Sequence, residues 1–70
     1  MKVTELEYDP GLDKLQEMVG GYIQLVPTSD GRLMYINEDG LRLGLPHNER
    51  ATGMAGMPIV GNVVVIPNYE

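Results

Sequence analysis

The sequence predicts an α+β domain: one short helix packed on a small, mainly antiparallel sheet of about four strands, with a long loop rich in glycine and methionine. Three observations predict it. Apolar residues recur at helical spacing in Leu12–Val19, two alternating runs flank Asp30-Gly31, and Val63–Ile66 is an unbroken β-branched run.

The elements follow in chain order. "KVTELEY" mixes β-branched and charged residues with imperfect alternation, the pattern of an edge strand. Asp9 and Pro10 then suit a helix N-cap and first helical position. Leu12, Leu15, Met18 and Val19 form one apolar stripe, with Asp13, Lys14 and Glu17 turned outward. A helix of about two turns is unstable alone, so the stripe must pack on a sheet. Gly20 is expected to end the helix in the left-handed conformation, with Gly21 letting Tyr22 enter the next strand. "YIQLVP" and "LMYIN" read as an antiparallel hairpin around Asp30-Gly31. Ile23 and Leu25 share one side, as do Met34 and Ile36, while Tyr22, Gln24 and Val26 point the other way, which predicts a single core face. "NEDG" closes that strand with a turn in which Gly40 supplies positive φ. Residues 41–58 lose all period and read as a long loop, in which "HNERATGMAG" could form a turn of helix. Val63–Ile66 is apolar on both sides and therefore central in the sheet, and Pro67 ends it.

Residues 1–70 make one compact domain, and a chain of this length buries only ~60% of its unfolded surface. Cysteine is absent, which excludes disulfides, a thiol nucleophile and a cysteine zinc site. The support left to so small a core is self-association, so a homo-oligomer is expected. No apolar run approaches a membrane span, and "MKVTELEYDP" lacks the character of a signal peptide, which places the chain in the cytoplasm. Ten acidic against five basic residues give a net charge of −5, which argues against duplex nucleic acid as a partner. Glu5, Glu7, Asp9, Asp13 and Glu17 concentrate the acid near the N-terminus, either as a solvated face or as a surface for a basic protein.

Reactive groups are sparse. His47 is the one histidine, and with Glu49 alone it cannot complete a metal site. Ser29 has no indicated base, and Glu38 and Asp39 are neighbours in a turn, so neither a nucleophilic triad nor a carboxylate pair is indicated. The chain therefore reads as a non-enzyme without cofactor or metal. "GG" lacks the wider phosphate-loop pattern and follows a helix, so its role is that of a cap. Met54 and Met57 offer an adaptable apolar surface for a subunit or a flat ligand. The candidate ligand-binding set is composite: Arg42, His47, Asn48, Arg50 and Thr52 are donors in or around the long loop, and Tyr22 or Tyr35 could supply a stacking ring. Together they would suit an anionic, nucleotide-like molecule; the alternative is that they make ordinary turn hydrogen bonds.

The runs "LQEMVGGYIQLV", "INEDG", "GLPHNERAT" and "IVGNVVVI" resemble a family of short domains of unknown function found widely in bacteriophage genomes. The resemblance spans roughly Leu12 to Ile66. It is carried by Val19, Gly20, Gly21, Tyr22 and Ile23, by the turn Asn37, Glu38 and Gly40, and by Asn48 and Gly61. "TGMAGMP" departs from the longer acidic stretch expected there. The family transfers no catalytic residue. What the resemblance implies is a phage accessory protein that counters host defence, as an oligomer that binds and sequesters a nucleotide-derived signal. The alternatives are an acidic inhibitor of a host enzyme, a purely structural module, and a nucleotide-signal hydrolase dependent on His47.

Overall fold

The computed structural model describes residues 1–68. Its elements are β1 (Val3–Glu5), α1 (Leu12–Val19), β2 (Ile23–Pro27), β3 (Leu33–Asn37), α2 (Glu49–Ala55) and β4 (Val63–Ile66). The strands form one sheet in the order β1-β4-β3-β2. β1 lies parallel to β4, and the β4–β3 and β3–β2 pairs are antiparallel. The fold is α+β, with β1 at an edge and β4 inside the sheet.

The expectation of one helix and one core face is corrected: a second helix occupies the long loop, and both sides of the sheet are covered. Period-2 alternation divides the buried β4 between two clusters. Val63 and Val65 join Val26, Met34, Ala51 and Ile59, on the side where α2 lies. Val64 and Ile66 join Leu15 and Val19 of α1. The β2–β3 register places Val26 opposite Met34 and Leu25 opposite Tyr35, so the hairpin contributes to both clusters.

Helix α1 has the expected bounds but not the expected start. Gly11, at φ +96°, is its N-cap, and Asp9 instead accepts from the Gly11 amide at 2.8 Å, so the turn delays the helix beyond Pro10. Leu15 and Val19 are buried, whereas Leu12 is 58% exposed. At the other end Gly20, at φ +82°, is the C-cap, and the amides of Gly20 and Gly21 both donate to the Gln16 carbonyl, at 2.9 and 3.0 Å.

The hairpin closes through residues 28–32. The Thr28 amide donates to the Arg32 carbonyl at 2.9 Å, the Arg32 amide to Thr28 Oγ1 at 2.8 Å, and Gly31 alone takes positive φ. Gly40 is not left-handed; its missing side chain answers to space, since a Cβ there would sit 2.8 Å from Val60 Cγ2.

Candidate functional site

Helix α2 decides where most of the candidate ligand contacts point. Its N-cap, Asn48, is 2% exposed and accepts from the Ala51 amide at 3.1 Å. The same side chain donates to the carbonyls of Lys2 at 3.1 Å and Gly61 at 2.8 Å. Every polar group of Asn48 is thus turned into the protein, joining the helix start to the chain entering β1 and β4. Thr52, one turn later, accepts from the Ile59 amide at 2.9 Å and lies 3.1 Å from His47 Nε2. His47 itself bridges Val60. These three residues brace α2 against the segment before β4.

Arg50, on the outward side of α2, donates to Glu5 at 2.9 Å. Arg32 donates to the same carboxylate at 2.5 Å and to Asp30 at 2.9 Å, and Asp30 is also held by the Thr28 hydroxyl. Hydrogen bonds from Arg32 and then Arg50 hold the Glu5 carboxyl below its ordinary pKa. Glu5 is therefore taken up by two arginines and withdrawn from the acidic N-terminal face.

Arg42 lies elsewhere. It pairs with Asp39 at 3.3 Å, and its side chain is 74% exposed. Glu5 aligns with Val65, and Leu33 with Ile66, so Arg50 and Arg32 meet at the hairpin end of the sheet. Asp39 follows Asn37 at the far end of β3, where β4 begins. About four strand residues, roughly 13 Å, separate the two ends. Arg42 and Arg50 therefore pair with carboxylates at opposite ends of the sheet. Tyr35 is half-buried in the α1 cluster, while Tyr22 is 69% exposed and its carbonyl accepts from the Glu38 amide at 2.9 Å, at the Arg42 end.

That end also carries exposed apolar side chains and two clefts. A cleft of about 220 Å³ opens between Leu41 and Met57, floored by Ile36, Asn37, Ile59 and Val60, with Gln24 and Glu38 on its wall. A second, of about 260 Å³, lies among Met1, Met18, Leu43, Leu45 and Asn62, and Asn37 lines it too. Leu41 is 80% and Met57 47% exposed. Asn37, which reads as a mere turn former in sequence, is 5% exposed, and its Nδ2 donates to the Val19 carbonyl at 3.2 Å, tying α1 to the junction of both clefts. A third hollow runs along the first turns of α1, beside Asp13 and Glu17. Among the described residues, no cluster of histidine and carboxylate could hold a metal ion, and no helix is long and apolar enough to cross a membrane.

Over residues 1–70 the chain matches the family described as a domain of unknown function, DUF3846. The chain belongs to this family. The DUF3846 match covers β1 as well as the span from Leu12 to Ile66 on which the sequence resemblance rests. No curated protein and no solved structure matches the chain.

Proposed function

We propose that this DUF3846 protein is a non-enzymatic binding module that takes its ligand at the Arg42 end of the sheet and sequesters it as an assembly of copies. The observation that supports this reading is the juxtaposition, at one end, of the Leu41–Met57 cleft, the exposed Tyr22 and the exposed Arg42. A cleft of about 220 Å³ is smaller than the ~300–1,000 Å³ of sites that engulf a whole ligand. It suits a single ring and leaves the rest of the molecule outside, within the field of Arg42. A nucleotide-derived signal has this form, a flat base followed by phosphate. Its phosphate must compete with Asp39 for the guanidinium, with Glu38 nearby as an opposing charge. Arg50, His47, Asn48 and Thr52 have structural partners and are not assigned to this site.

The setting we propose is that of a bacteriophage accessory protein acting in the host cytoplasm against a small-molecule defence signal, which rests on the family resemblance. The acidic-inhibitor reading is less supported, because Glu5 is engaged by Arg32 and Arg50. Calorimetry against a panel of cyclic dinucleotides and ADP-ribose derivatives tests the proposal. Heat is expected with at least one of them, lost in Arg42→Ala, retained in Arg50→Ala and strengthened in Asp39→Asn. A panel that gives no heat at all removes the reading.

A further inference from the structure

The two edges of the sheet differ. β1 is three residues long, is flanked by Lys2, and ends on Glu5 with its two arginines. Charge and brevity of this kind keep an edge from pairing. β2 is five residues long and has neither protection. From Met18 to Ser29 no side chain is charged, and Leu25, in the middle of the strand, is 49% exposed.

The ladder settles which backbone groups β2 leaves outward. In an antiparallel pair, hydrogen-bonded and non-hydrogen-bonded residues alternate. The Thr28 amide donates to the Arg32 carbonyl and the Glu38 amide to the Tyr22 carbonyl. With the β2–β3 register, Tyr22, Gln24, Val26 and Thr28 are thus the residues bonded toward β3. Ile23, Leu25 and Pro27 present their backbone groups to the free edge. Proline has no N–H to leave unpaired, so its place there costs no donor.

We propose that β2 pairs antiparallel with β2 of a second copy across a twofold axis at Leu25, extending the four-stranded sheet to eight strands. The outward groups are self-complementary in this register. Each Leu25 amide donates to the Leu25 carbonyl of the other copy, and each Ile23 amide donates to the other Pro27 carbonyl. That makes four hydrogen bonds, and the missing proline donor leaves only the Ile23 carbonyls to water. A register centred on Gln24 would instead carry Pro27 toward Gly21, whose amide already donates to Gln16. The two half-exposed Leu25 side chains meet on the α1 side of the sheet, beside Tyr35. A second copy is the occupant that the edge itself favours: its outward groups match their own copy in one register. No charged side chain lies between Met18 and Ser29, so this is the edge at which two copies of a chain of net charge −5 can approach. The pairing gives the oligomeric part of the proposed function its interface.

The absence of cysteine makes the register directly readable. Directly opposed residues of a hydrogen-bonded pair lie ~5.5 Å apart at Cα, within disulfide reach. Leu25→Cys, oxidised mildly in solution, is expected to give a covalent dimer, and Gln24→Cys much less of one. In the unmodified protein, native mass measurement should give a dimer. The Ile23 and Leu25 amides should resist hydrogen exchange in it, and lose that protection on dilution to monomer. Leu25→Lys, which sets two cations face to face, should yield a folded monomer. A monomer at all concentrations overturns the pairing, as does a dimer whose Ile23 and Leu25 amides exchange freely. Ligand heat retained by a folded Leu25→Lys monomer would leave the binding site standing without this interface. A dimer with the expected protection and no ligand heat would do the reverse.

Discussion

The side-chain amide of Asn48 donates to the carbonyl of Gly61 at 2.8 Å, so the residue that begins α2 also fastens the chain entering β4. Asn48→Ala removes the cap, strips the Gly61 carbonyl of its donor and leaves the Lys2 carbonyl with the Val63 amide alone. Cap loss and unpaired buried groups together are expected to cost about 2–4 kcal/mol. Asn48→Asp keeps the cap oxygen but sets a buried carboxylate oxygen against the two carbonyls, and should cost at least as much. Denaturant midpoints at constant m-value measure both.

Gly20→Ala meets no atom within 4 Å, so its cost is that of a left-handed backbone at φ +82°, about 1–2 kcal/mol. In a domain of this size that lowers Tm by roughly 4–16 °C. Gly21→Ala acts by another route: its Cβ would lie 3.1 Å from Asn37 Nδ2 and press the amide away from Val19. Differential scanning calorimetry should therefore find that Asn37→Ala and Gly21→Ala combine less than additively, while Gly20→Ala and Asn37→Ala add more nearly.

Stability should fall on the acid side through Glu5. Arg32 and Arg50 hold its folded pKa below the ordinary 4.5. The stabilisation is therefore complete above that value and is lost as pH drops through the lower, folded value. Asp30, lowered chiefly by the Thr28 hydroxyl, acts in the same direction. A Tm series from pH 7 downward should show Glu5→Gln losing less than the parent as acid is added. Both groups are solvent-exposed, so added salt should shrink the difference.

Ala51 is fully buried where α2 meets the sheet, among Met34, Val26 and Ile59. A larger side chain there must push the helix outward. Ala51→Leu is expected to destabilise by about 1–3 kcal/mol, with a matching loss of exchange protection in residues 49–55. If Ala51→Leu raises Tm, α2 does not pack at this distance.

The parts of the fold legible in sequence are those with a local period. The Leu15–Val19 spacing, the hairpin around Gly31 and the β-branched β4 each declare themselves within a few residues. Helix α2 gives no such stripe: Ala51 is its one fully buried residue, and Gly53 and Thr52 dilute its propensity. The candidate site was harder still. Asn48, Arg50 and Thr52 are neighbours in sequence, yet the cap turns Asn48 inward and the helix turns Arg50 outward to Glu5. Nothing near Arg32 or Arg50 marks a carboxylate 27 or 45 positions away as their common partner.

The parallel pairing of β1 with β4 sets a condition on how the protein is made. The Lys2 amide reaches Asn62 across 60 positions, and the central strand begins only beyond that point. At ~5–20 residues per second, a ribosome delivers β4 about 3–12 s after β1. Throughout that interval Leu15, Val19 and the hairpin have no strand to close on, so the nascent chain exposes most of its future core. Folding has to wait for release of the late segment and then proceed through long-range closure, which is slow for the chain's size.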